Sequence, residues 1–263
     1  MRKLTPLFLI MALVGFSFQH TISSQIDPSR IFLSPGASFW GGTDSLGRDL
    51  LQRSLRGAGL SLLICLFSLI LTYVMGMVLG GVLSFWKRAN HLVIFIVDVF
   101  DSIPNFLLVA LFSILISRGF VATSSANAAF SILVISIALS AWPPIARYVR
   151  LEILQLKGKD FLNATIVLGG SPFYLARTHY LRAIWPWVKL SAAHSIPQFI
   201  LIESVLSFTG FGMNSDYATL GYLIFEGWKN ALIYPHLFVV PSVILCLIIW
   251  ILTWGLQETK ELF

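Results

Sequence analysis

The side chains that could do chemistry in this chain are few, and most have the wrong spacing for catalysis. The five histidines, at positions 20, 91, 179, 194 and 236, are scattered without metal-ligand spacing. There is no His-Glu-x-x-His, no Gly-x-Ser-x-Gly and no Gly-x-x-x-x-Gly-Lys-Ser/Thr segment. The chain therefore offers no zinc-protease helix, no nucleophile elbow and no loop to cradle a nucleotide phosphate. Glu203 and His194 could form an acid–base pair, but nine residues apart they do not share a helical face. The expectation is a protein that is not an enzyme, with no catalytic residues, no metal and no cofactor of its own.

Three polar groupings remain inside or between the apolar runs. Asp98 and Asp101 lie in an apolar segment, where an acid is a functional suspect by default. They read either as lining a polar path or as hydrogen-bonded partners between helices. Ser191, His194, Ser195 and Gln198 fall on one helical face. That stripe reads equally as the wall of a translocation path or as polar glue against a neighbouring helix. Glu203 reads as structural. The third grouping is the stretch from Asp160 to Pro186. There Asp160 is expected to cap a short helix, Gly169-Gly170 to end it in a left-handed turn, and Ser171-Pro172 to start the next one. Phe161, Ala164, Thr165 and Leu168 share one face of the first helix, while Leu162, Ile166 and Val167 make the other face apolar too. A short helix that is apolar on both sides needs a partner to cover the second.

These groupings are embedded in a chain of 263 residues that is 57% hydrophobic and 11% charged, with mean hydropathy +0.83. Soluble domains carry about 25% charged residues, so the chain reads as an all-α integral membrane protein. Its apolar runs suit helices rather than alternating barrel strands. Cys65 and Cys246, both within apolar runs, read as small core residues rather than a disulfide. The net charge of +6 is better explained by topology than by nucleic acid.

Six spans are expected. The first is an uncleaved run from about Leu7 to Phe18, followed by an external loop to residue 45. An amphipathic interfacial helix over Asp49–Arg56, with Asp49 and Arg53 as an i,i+4 pair, precedes span two at Leu60–Leu83. Span three covers Leu92–Ser117, interrupted at Pro104, and span four covers Ala126–Ile145, ending at Trp142-Pro143-Pro144. Spans five and six cover Val188–Phe208 and Leu237–Leu256, with an irregular loop between them holding Gly210, Gly212, Asp216 and Gly221. A cytoplasmic N-terminus puts 12 of the 18 bases inside, among them Lys87, Arg88 and those of the 146–189 segment. The positive-inside rule thus places both termini and residues 160–186 in the cytoplasm. The division is 1–45 for the first span and external loop, and 46–263 for the main transmembrane domain, with a long cytoplasmic loop at 146–187.

Five segments, in order, resemble one known family. They are Gly42-Thr43-Asp44-x-Leu46-Gly47-Arg48-Asp49-x-Leu51-x-Arg53; Asp98 to Pro104; Trp142 with Ala146-Arg147-x-Val149-Arg150; Asn163-Ala164-Thr165 with Gly169; and Glu203-x-x-Leu206-Ser207-Phe208-x-Gly210-x-Gly212. Together they look like the second (C-type) permease subunit of ATP-binding-cassette importers for dipeptides, oligopeptides and nickel, with a MetI-like transmembrane domain. Asn163 and Thr165 stand where the family prefers an acid and an alanine, and Arg182 and Gly59 also depart from its pattern. The resemblance implies a sister permease, two ATPase subunits that bind the ATP, and an external substrate-binding protein. It makes Asp160, Phe161, Asn163, Ala164, Thr165, Leu168, Gly169 and Gly170 the ATPase-coupling residues of an inner-membrane importer. An ion-coupled transporter or channel with Asp98 and Asp101 in its path is the competing reading.

Overall fold

A computed structural model describes residues 26–85, 89–119, 126–210, 212 and 218–260. The expected first span lies outside them. Among the described residues there is no β-strand, only an isolated bridge between Thr43 and Asp49. The helices are α1 (Leu50–Leu83), α2 (Ala89–Asp101), α3 (Asn105–Gly119), α4 (Ala126–Lys157), α5 (Asp160–Val167), α6 (Pro172–Leu175), α7 (Leu181–Phe208), α8 (Leu220–Lys229) and α9 (His236–Lys260). A five-residue π-helical segment, Ala176–Tyr180, joins α6 to α7.

Helix α1 has 34 residues, about 50 Å at 1.5 Å per residue, and crosses the bundle from end to end. Its first turns correct an expectation. Residues 49–56 are not a separate interfacial helix but the start of α1, and Asp49 is its N-cap, accepting from the Leu51 and Gln52 amides. Arg53 is buried and pairs with Asp44 and Glu226 rather than with Asp49. Further along, α1 packs closely against α4. A Cβ on Gly76 would lie 2.6 Å from Ile145 Cγ2, and one on Gly80 would lie 2.5 Å from the Ala146 carbonyl oxygen. The Gly76-x-x-x-Gly80 spacing thus lets two backbones meet where any side chain would separate them. Lys157, at the end of α4, donates to the Ser84 carbonyl at 3.0 Å and sits 4.0 Å over the Phe85 ring, fastening the two helix ends.

Helix α4 also corrects the expected end of span four. Pro143 and Pro144 lie inside a 32-residue helix that continues to Lys157. Proline removes a bond to the carbonyl four residues back, a loss that membrane helices accept where other groups or a cavity receive the freed oxygen. Span five likewise starts at Leu181 rather than Val188 and runs through Pro186 and Pro197. The loop expected between spans five and six contains α8. Thr219 caps it by accepting from the Tyr222 amide, and Leu220, Gly221, Leu223 and Gly227 are buried. Asp216 is not among the described residues.

Among the described residues, three helices are long and apolar enough to cross a membrane: Leu50–Leu83, Asn127–Lys157 and His236–Thr253. The pair α2–α3 makes a fourth when taken as one span broken at Ser102–Pro104, with a bend of 94°. The 28 residues of α7 measure about 42 Å, more than a bilayer core of about 30 Å. Its hydropathy is diluted by the polar stripe already noted, and also by Glu203 and further serines. Cys65 is buried, whereas Cys246 is exposed on α9 instead of lying in the core; both are free.

Candidate functional site

Helix α5 and the turn after it stand at one end of the bundle, next to the Lys157–Ser84 fastening. The opposite end holds α8, which meets the start of α1: a Cβ on Gly57 would lie 2.8 Å from the Ala218 carbonyl oxygen. Lys159, with extended backbone, is the N-cap of α5 and makes no side-chain capping bond. Asp160 is therefore the first helical residue and not the cap, placing its charge in the first turn, where the helix dipole favours an anion. The glycine turn forms as expected. Gly169 has φ +87°, and the Gly169 and Gly170 amides donate to the Ile166 and Thr165 carbonyls at 2.9 and 3.0 Å. Ser171 caps α6 through the Tyr174 amide, with Pro172 at the first position.

Only Leu162 of α5 is buried, at 1% exposure, in a cluster with Ile153, Leu175, Tyr180 and Ile184. Phe161 and Ile166 are half exposed, and Val167 and Leu168 are 85% and 87% exposed. Asn163, Ala164 and Gly169 are also exposed, while Thr165 and Gly170 are intermediate. The helix is thus pinned by one leucine and opens its remaining apolar surface outward. Phe173, also exposed, extends that surface onto α6.

A cavity of about 380 Å³ lies among α1, α4, α7 and the break in the bent span. Ser191, Ser195 and Gln198 line it together with Tyr73, Asn105 and Trp187. His194 of the expected stripe is not part of the lining; its Nδ1 is 2.9 Å from the Leu190 carbonyl of its own helix. Tyr73 Oη donates to Ser191 Oγ at 2.7 Å and is 3.1 Å from Ser195 Oγ. The non-helical residues Ile103 and Pro104 line the same space, which is where irregular backbone at membrane depth is tolerated. Ser140 and Pro144 line it as well, and Pro144 supplies no amide to the Ser140 carbonyl. Among the described lining residues none carries a charge; hydroxyls and two carboxamides are set among aromatic rings, Ile103, Ala141, Ile145 and two prolines.

Asp98 is not in that wall. It is exposed, with Oδ1 4.0 Å from Arg147 Nη1, an interhelical contact between α2 and α4. The side chain of Asp101 lies outside the described residues.

Two constellations were not read from the sequence. Asp44 is buried and accepts from the Leu46 and Arg48 amides at 2.9 Å each, from Arg48 Nε at 2.7 Å and from Arg53 Nη1. Burial opposes its ionisation, but the Arg48 amide, the Arg53 guanidinium and the Leu46 amide together hold its carboxyl below the usual value. Arg53 Nη1 also reaches Glu226 Oε2 at 3.3 Å, so the loop before α1 is tied to α8. Glu203 is fully buried. Its Oε1 accepts from Ser207 Oγ at 2.7 Å, with Ser61 of α1, Ser204 and the α8 cap Thr219 beside it. Only the motif spacing around Asp44 and Glu203 hinted at either arrangement, since Glu226, Ser61 and Thr219, which complete them, come from other parts of the chain.

The family model for the binding-protein-dependent transport system inner membrane component matches residues 72–257. The dipeptide transport system permease protein DppC of Lactococcus lactis subsp. cremoris (strain MG1363) is 31% identical over 206 residues, 78% of this chain and 57% of that protein. The dipeptide transport system permease protein DppC of Bacillus subtilis (strain 168) is 28% identical over 229 residues, 86% of this chain and 68% of that protein. The oligopeptide transport system permease protein OppC of Mycobacterium tuberculosis (strain ATCC 25618 / H37Rv) is 30% identical over 227 residues, 85% and 75% of the two chains. The chain thus spans little more than half the lactococcal relative and about two thirds of the Bacillus dipeptide permease. All three relatives are permeases. With its helical bundle, its membrane-spanning helices and a family match that covers most of its length, this chain belongs to the inner membrane components of binding-protein-dependent transport systems.

Proposed function

We propose that the chain is the membrane-embedded subunit of an ATP-binding-cassette importer for dipeptides or oligopeptides, working beside a sister permease. Two separate ATPase subunits bind the ATP and dock on α5, an external binding protein delivers the solute, and both termini face the cytoplasm. The observation that carries the reading is the uncovered apolar surface of α5 and its C-cap, where Val167 and Leu168 are almost wholly exposed and Leu162 is the one buried side chain of the helix. A lone transporter or channel has no use for such a surface at a basic end of the bundle.

The chain's part is mechanical. Closure of the ATPase pair pushes α5, whose Leu162 is packed against α4 and α7, and those helices rock to expose the cavity to one side and then the other. Hydroxyls, carboxamides and rings suit the amides and side chains of a peptide without selecting by charge. The ion-coupled alternative needed acids in the path, and Asp98 lies outside the cavity wall.

The test is uptake of a labelled dipeptide into proteoliposomes holding the assembled complex with its binding protein. ATP-dependent accumulation, abolished by a non-hydrolysable analogue and indifferent to ionophores, is the expected result. Accumulation driven by an ion gradient without ATP would overturn the reading.

A further inference from the structure

Tyr73 occupies two places at once. Its ring is 5% exposed and belongs to the cluster that buries Leu162, a cluster continuing through Ile153, Ile184, Val188 and Ile145. Its hydroxyl reaches the cavity wall, donating to Ser191 and standing within hydrogen-bond distance of Ser195. One residue therefore joins the apolar mass that holds the docking helix to the polar face that meets the solute. The link is stiff, because Gly76, three residues on, brings α1 against Ile145 of α4 with no room for a side chain. A packed cluster of this kind has few alternative arrangements, so α5 cannot shift without moving the neighbours of the Tyr73 ring.

We propose that Tyr73 is a positioning residue for coupling. Its bonds to Ser191 and Ser195 latch α1 to α7 in the conformation seen here, and displacement of the Leu162 cluster releases them. The inference rests on the proposed docking of an ATPase on α5. It assigns no binding role to the hydroxyl. Without the latch, α5 still receives the ATPase stroke, but α1 and α7 no longer hold one position until it arrives. Strokes are then spent without moving solute.

The experiment uses the complete complex in proteoliposomes and measures ATP hydrolysed per peptide accumulated for wild type, Tyr73→Phe, Ser191→Ala/Ser195→Ala and the triple variant. Losing one or two neutral hydrogen bonds is expected to raise that ratio about five- to tenfold. The triple variant should be no worse than Tyr73→Phe, because both changes cut the same bonds. The KM for peptide should stay unchanged in every variant, whereas loss of a solute-contact residue would raise it. An unchanged ratio, effects that add, or a raised KM would overturn the proposal. If Tyr73→Phe fails to assemble, the serine variant alone decides by the same ratio. A wild-type complex that shows no ATP-driven uptake would instead refute the importer reading on which the latch depends.

Discussion

Gly169 offers a quantitative test of the docking turn. Its φ of +87° lies in the region that L side chains rarely adopt, and no neighbouring atom lies within 4 Å of where a Cβ would stand. Substitution there costs backbone strain alone, with no clash to confuse the reading. The strain for an ordinary residue is about 1–2 kcal/mol, with valine at the upper end and asparagine, which tolerates this region, well below it. The Gly169 and Gly170 amide bonds to Ile166 and Thr165 depend on that turn, as does the placement of exposed Leu168. If the ATPase grips α5 in this geometry, the strain appears as weakened docking, at about tenfold per 1.4 kcal/mol. The expected order of ATPase affinity for purified permease is wild type, then Gly169→Asn, then Gly169→Ala, then Gly169→Val, with valine lower than wild type by about ten- to thirtyfold. Membrane insertion and thermal unfolding of the bundle should be unchanged, because α5 is held by Leu162 and not by the turn. Equal affinities across the series, or asparagine as damaging as valine, would refute the reasoning.

Three further predictions follow from the packing and the site. Gly80→Leu should lower the thermal unfolding temperature and disrupt assembly, because its side chain would meet the Ala146 backbone, while Gly81→Leu next to it, with nothing within 4 Å, should be tolerated. Asp44→Asn should destabilise the fold by about 3 kcal/mol by leaving Arg48 without its carboxylate partner. Because the Asp44 carboxyl titrates below its ordinary value of about 3.9, its ion pairs persist above that pH and are lost only as pH falls below it, which unfolding measured from neutral to acid pH would check. Gln198→Glu puts an anion into an uncharged wall and should turn the path against acidic peptides by about tenfold relative to basic ones, read by competition uptake.

Local chemistry made parts of this architecture legible in advance. Gly169-Gly170 followed by Ser171-Pro172 specifies a stop and a start within five residues, and Pro104 in an apolar run specifies a break; both formed. Local i,i+4 spacing pairs Arg53 with Asp49, but Glu226, one of its actual partners, is 173 positions away and no local rule can find it. By local rules Pro143-Pro144 marks a helix end, as it does in water. Inside a bundle the freed carbonyls can face a cavity, and α4 continues for thirteen residues beyond Pro144. Helix α8 was missed because its ten residues follow a glycine-rich segment and its buried face is set by contacts with α7 and α9. Helical spacing puts the four polar residues of α7 on one face, but only Ser191, Ser195 and Gln198 line the cavity, since His194 turns back to its own helix.

The most direct test of the central claim is site-specific photo-cross-linking in the assembled complex, with a photoreactive side chain at Leu168, which is 87% exposed, and a control at Val243 on α9, which is 49% exposed. The account predicts a covalent adduct between position 168 and the ATPase subunit, dependent on light and absent at position 243. Failure of position 168 to label the ATPase in a complex that retains ATP-driven uptake would contradict it.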